Sequence, residues 1–155
     1  MIKTKRLIAL LFAVFALCST TGMQAQTLDI DRQLKYCSTQ VNRALDELRH
    51  KNGTYDYTMQ PRNILNGDRQ KGWNCRPAKA EEWCDGFWPG ILWMTYQTTG
   101  DEAVRCAAEG YTESLRGIAY QPCYDHDIGF LMFCSYGKGY EVNHSREYKD
   151  VILAS

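Results

Sequence analysis

The sequence has no excess of either charge: 18 lysines and arginines stand against 18 aspartates and glutamates. A chain without a basic stripe is poorly suited to tracking a phosphate backbone, which argues against nucleic acid as a partner. It also lacks an apolar run of membrane-spanning length. The longest, Leu7 to Leu17, falls short of the ~20 residues a helix needs to cross a bilayer. The cysteines include no C-x-x-C pair, so a zinc site is not expected. No stretch alternates with period two over a useful length, and no exact internal repeat is present. What remains is apolar enough to fold, at 45% hydrophobic residues, and its 155 residues suit one domain on a prior of ~100–200.

Residues 1–25 read as an export signal. Lys3, Lys5 and Arg6 precede the Leu7 to Leu17 run, and small and polar residues lead to a cut after Ala25. Cleavage removes three of the 18 cations, leaving 15 against 18 anions and a net charge of −3. The product is expected to be exported, periplasmic or secreted, with no membrane attachment after cleavage. Lipidation at Cys18 is the alternative, against which the bulky Leu17 counts. Cleavage also leaves Cys37, Cys75, Cys84, Cys106, Cys123 and Cys134. An oxidising compartment permits disulfides, but six cysteines allow 15 pairings. Cys37, Cys106 and Cys134 fall on apolar helix stripes and read as buried thiols. Cys75 and Cys123 lie in loops and are the candidates for bridging.

Apolar spacing predicts helices joined by loops. Ile30, Leu34, Cys37, Val41, Leu45 and Leu48 mark one helix face between Asp29 and His50, with Asn52-Gly53 as the stop. Residues 51–82 show no period and read as a long loop, a kind that is often functional. Its Tyr55, Tyr57 and Trp73 are expected to line a cleft. Trp83, Phe87, Ile91, Met94 and Thr98 mark a second helix, with Pro89 fitting only in its first turn. Gly100 ends it, and Asp101 caps a third that runs to about Ile118 along Ala103, Ala107, Tyr111, Ser114, Leu115 and Ile118. A loop from Ala119 to His126 leads to a fourth helix, Asp127 to Tyr140. A fifth begins near Ser145 and carries Tyr148, Val151 and Ile152. The class is all-α, built of αα-hairpins, which suits a toroid or a solenoid.

Two segments carry chemistry: Glu82 to Trp93 and His126-Asp127-Ile128-Gly129-Phe130. Aromatic rings beside acids at helix beginnings are what carbohydrate sites use, since apolar sugar faces stack on indoles and carboxylates handle protons. The segments resemble glycoside hydrolase family 88, the unsaturated glucuronyl hydrolases. The matching residues are Trp83, Asp85-Gly86-Phe87-Trp88, Gly90-Ile91-Leu92-Trp93, Thr99-Gly100-Asp101 and the His-Asp-Ile-Gly-Phe of 126–130.

That resemblance covers about residues 30–155 and corresponds to the first third of a family member. It implies an incomplete (α/α)6 barrel, with about five of twelve helices present. Residues 26–155 would then be the N-terminal, truncated part of the hydrolase domain. It implies action on 4,5-unsaturated uronic-acid oligosaccharides left by polysaccharide lyases, glycosaminoglycan-derived or similar. The reaction is hydration of the double bond, with no metal and no organic cofactor. Asp127 matches an active-site aspartate that works beside the proton-donating one. Trp83 matches the tryptophan that stacks on the unsaturated ring, and His126 a substrate-pocket histidine. The resemblance places the principal acid/base aspartate beyond Ser155, so the chain is expected to be an inactive fragment.

Plainer roles stand beside these. Asp127 precedes an apolar run and suits a helix N-cap; Asp85 suits the cap of the second helix; Trp88 and Trp93 suit the core. Asn143-His144-Ser145 matches a glycosylation sequon, but a cap for the fifth helix is preferred. The alternative function is a non-catalytic αα-hairpin module that binds glycans or proteins.

Overall fold

A computed structural model describes residues 28–64, 67, 72–122 and 126–155. The export segment with Cys18, and Cys123, lie outside the described residues. Residues Asp31–Ser155 form one compact unit.

Helix α1 spans Ile30–Leu48. Its apolar stripe is buried only from Val41 onward, through Ala44 and Leu45, while Leu34 and Cys37 stay exposed. The chain leaves the helix through a turn in which Gly53 adopts φ 85° and donates to the His50 carbonyl at 2.8 Å. This left-handed conformation favours glycine.

The segment expected to be a loop contains an antiparallel ribbon, β1 (Met59–Ile64) against β2 (Trp73–Pro77). Its register pairs Pro61 with Cys75 and then Asn63 with Asn74, so Arg62 is the extra residue of a β-bulge. A proline in a strand is confined to edges and bulges, and Pro61 sits at this one. The strands escape a period-two reading because neither presents an alternating buried face. On β1 only Gln60 is buried, its amide donating to Ser114 Oγ at 3.0 Å. Tyr55 and Tyr57 are half-buried and pack against the core, whereas Trp73 lines a pocket with Gln40, Arg43, Ala44, Glu47 and Ile64. Tyr57 meets Tyr111 edge-on at 5.1 Å, and Trp73 lies 6.5 Å from Trp88.

A 3₁₀ turn, Trp83–Gly86, leads into α2, Phe87–Thr99. Pro89 falls in the first turn, where its missing N–H costs nothing. The buried face is Trp88, Leu92, Trp93 and Thr95, with Pro89 and Gly90. The expected stripe of Phe87, Ile91 and Met94 is exposed instead. This helix is apolar all round, so spacing alone cannot choose its inner face. Gly100 closes it at φ 69°, donating to Tyr96 O at 2.7 Å. Asp101 Oδ1 accepts from Ala103 N at 2.9 Å and caps α3, Glu102–Glu113.

Helix α3 buries Val104, Ala107, Ala108, Tyr111 and Thr112. Cys106 lies off that arc and is exposed, against expectation. Trp93 Nε1 donates to Thr112 Oγ1 at 2.9 Å and ties α2 to α3 inside the core. The predicted run to Ile118 divides, because a 3₁₀ helix follows over Arg116–Tyr120.

Helix α4 (Ile128–Met132), a π turn (Phe133–Gly137) and α5 (Lys138–Asn143) form one continuous helical run. It buries Leu131, Met132, Ser135 and Tyr136, while Cys134 is half-buried. His144 closes it at φ 52°. Ser145 then stands at the N-cap of α6 (Arg146–Ala154) without a side-chain cap bond, and Asn143 Oδ1 accepts its N–H at 2.8 Å. Tyr148 of α6 packs edge-on against Tyr136 and Trp93. Counting 128–143 as one, five helices and one small ribbon make up an all-α fold among the described residues.

Candidate active site

The two motif segments meet through their backbones. Gly86 lies so close to Leu131 that a β-carbon there would stand 2.7 Å from Leu131 Cα. At Gly90 a β-carbon would collide with the Cys134 carbonyl oxygen. Two glycines four residues apart therefore let the 3₁₀ turn and the start of α2 lie flush against α4 and the π turn. Any side chain at either position would push the elements apart.

This contact brings Trp83 to the second motif. The Trp83 ring meets Phe87 at 5.4 Å and Phe130 at 5.8 Å, both edge-on, and Phe87 meets Phe130 at 6.4 Å. The three rings form a cluster with Trp83 45% exposed. Phe130 stands three residues after Asp127 on the same run. A half-exposed indole held beside two phenylalanine rings is suited to stacking on an apolar sugar face.

Asp127 stands at the N-cap position of α4, yet its side chain makes no cap hydrogen bond. Its Oδ1 lies 3.2 Å from His126 Nε2. The carboxylate side chain is 31% exposed and the imidazole 91%. Both are accessible to a ligand, and His126 Nε2 is within hydrogen-bond reach of the carboxylate.

Asp85 is not the cap of α2, a position held by Gly86. Its carboxylate is fully buried, accepting from Lys79 N at 3.2 Å and lying 3.3 Å from Arg62 Nη1. The same Arg62 Nη1 lies 2.6 Å from Glu82 Oε2. Burial pushes the Asp85 carboxyl above its usual range, and the Lys79 N–H and the Arg62 guanidinium pull part of the way back. Sequence reasoning missed this cluster, since nothing in the spacing links Arg62 to a turn 20 residues on. It also missed Phe87 and Phe130 as supports for Trp83.

Among the described residues no group of three or more His, Cys, Asp or Glu side chains is arranged to hold a metal. None of their helices is long and apolar enough to cross a membrane. Cys75 is unbridged, and burial raises its thiol above the usual range.

No family model matches the chain. An unsaturated glucuronyl hydrolase of Formosa agariphila is 34% identical over 77 residues, 49% of this chain and 19% of that protein. An unsaturated glucuronyl hydrolase of a Bacillus species is 46% identical over 52 residues, 32% of this chain and 14% of that one. An unsaturated chondroitin disaccharide hydrolase of Streptococcus pyogenes is 36% identical over 55 residues, 13% of its length. The crystal structure of an unsaturated glucuronyl hydrolase specific for heparin superposes with a TM-score of 0.62 at 32% identity. That match takes in 79% of this chain and 30% of the solved one. The chain thus spans under a third of the length of each protein it matches. Over that span it is similar to the family 88 unsaturated glucuronyl hydrolases, and its helices correspond to part of an (α/α)6 barrel.

Proposed function

We propose that this chain is part of an exported glycoside hydrolase that acts on 4,5-unsaturated uronyl oligosaccharides by hydrating the double bond. The observation that supports this most is the junction of Trp83 with the run that begins at His126-Asp127. It joins an exposed indole platform and an accessible carboxylate through Phe130. That pairing occurs in a chain similar to unsaturated glucuronyl hydrolases.

In this reading the unsaturated ring stacks on Trp83. The ring is flattened by its C4–C5 double bond, so it offers a broad apolar face to an indole. An acid delivers a proton to C4, and positive charge develops at C5, where the ring oxygen shares it. Water adds at C5 and loses a proton to a carboxylate. The resulting hemiketal opens by breaking the bond from C5 to the ring oxygen, which leaves a ketone at C5 and a hemiacetal at C1. The C1 hemiacetal then collapses to an aldehyde, its hydroxyl proton passing to the departing aglycone oxygen. Two carboxyl groups serve this best, because close carboxylates cannot both ionise cheaply and one is kept protonated. Asp127 is one of the two, with His126 contacting the substrate. The resemblance puts the donor outside these 155 residues, so the chain by itself supplies the platform and one acid.

The test is the ultraviolet absorbance of an unsaturated uronyl disaccharide, which disappears on hydration. A protein extended to the length of the relatives is expected to consume it, and the 155-residue chain is not. Binding without turnover in the extended protein would favour a glycan-binding module instead.

A further inference from the structure

We propose that Arg62 is a positioning residue that sets the orientation of Trp83, acting from the β-bulge through Glu82 and Asp85. The proposal rests on the hydrolase reading only for what Trp83 does, and not for how it is held.

The 3₁₀ turn that carries Trp83 is packed against Leu131 at its Gly86 end, while its start, at Glu82, is held by polar contacts. It is four residues long, and its N-cap residue Glu82 makes no side-chain cap bond. Short 3₁₀ helices have poor hydrogen-bond geometry and depend on their surroundings. Two acids bracket the tryptophan, Glu82 just before it and Asp85 two residues after. One guanidinium nitrogen reaches both, at 2.6 Å and 3.3 Å. The second Asp85 oxygen takes the Lys79 N–H, which pins the turn to the chain leading into it. Charge-assisted bonds of this kind are among the stronger polar contacts, and an arginine fixes direction as well as charge.

The ribbon explains how Arg62 gets there. In a regular ladder the side chain at 62 would follow the alternation of its neighbours. As the unpaired residue between Pro61 and Asn63 it is freed from that register, and bulges commonly re-aim a side chain in this way. Arg62 is largely buried, its side chain 20% exposed, so its head is committed to the two acids. Without it, Asp85 would be a fully buried carboxylate facing a second carboxylate at Glu82. That pair relaxes only by taking up a proton or by moving the turn.

The test uses the 155-residue chain and needs no turnover. The protein has four tryptophans, whose indole N–H signals are separable by ¹H–¹⁵N NMR, and Trp83→Phe assigns the one that matters. In Arg62→Gln the Trp83 signal is expected to shift or broaden while that of Trp93, held by Thr112, stays in place. Arg62→Lys, which keeps the positive charge, is expected to restore most of the wild-type position. An unmoved Trp83 signal in Arg62→Gln overturns the proposal. If Arg62→Gln loses the Trp93 signal as well, the variant has unfolded and Glu82→Gln decides the matter. It removes the nearer acid at a partly exposed site, and an unmoved Trp83 signal there overturns the proposal equally. In an extended, active protein Arg62→Gln is expected to raise KM about tenfold with kcat nearly unchanged, the pattern of lost substrate binding. An extended parent that consumes no unsaturated disaccharide would sink the hydrolase reading and leave the spectral result standing.

Discussion

Replacing Thr112 with valine tests the packing of α2 on α3, on which the site is mounted. Trp93 and Thr112 are both fully buried, and the indole N–H donates to the threonine hydroxyl at 2.9 Å. Valine matches threonine in shape, so the variant deletes the acceptor without opening a cavity. The stranded indole N–H then carries a desolvation cost of about 1–3 kcal/mol. Thr112→Ser is the control. It keeps the hydroxyl and loses one buried methyl, about 0.8 kcal/mol. The assay is urea unfolding of the 155-residue chain followed by tryptophan fluorescence. Thr112→Val is expected to lower the midpoint more than Thr112→Ser at an unchanged denaturant slope. A valine variant as stable as the serine one would refute the reasoning, because packing and not the hydrogen bond would then join the helices.

Gly90→Ala is expected to destabilise the chain by at least ~1–3 kcal/mol, the ordinary cost of overpacking, since its β-carbon meets the Cys134 backbone; thermal melting checks this, and an unshifted melt contradicts it. Asp85 gives a pH dependence of unusual sign. Its folded pKa is raised, so its contribution favours the folded state below the ordinary carboxylate pKa and is lost as pH rises through the raised value. Asp85→Asn removes that slope. Its stability relative to wild type is therefore expected to improve as pH rises across that window, read by urea unfolding at several pH values. Export predicts a secreted or periplasmic product whose mass corresponds to cleavage after Ala25; an uncleaved, cell-associated chain would contradict it.

Most of the helical frame was legible because amphipathic spacing marks it. Gly100 and Asp101 act as read, one closing α2 and the other capping α3. The face of α2 was not legible, since Trp88, Leu92 and Trp93 are as apolar as Phe87, Ile91 and Met94. Cys37 and Cys106 show the same limit. The first belongs to a stripe whose N-terminal half stays exposed, and the second lies just off the buried arc of α3. The ribbon was hidden by Pro61 and Asn63, residues that strands normally avoid, and by the lack of a buried face. At the site, Trp83, His126 and Asp127 were named from their motifs. The structure places Trp83 against Phe130 and gives Asp127 a histidine neighbour rather than a capping bond. What no motif could give was the Arg62 clamp, because it depends on where a bulge sends one side chain.

Asp127 carries the central claim. In a protein extended to the length of the relatives, the absorbance of a 4,5-unsaturated uronyl disaccharide should fall with time. Asp127→Asn should slow that fall by about 10²- to 10⁴-fold, the usual contribution of a positioned acid or base. Unchanged turnover in that variant would contradict the account.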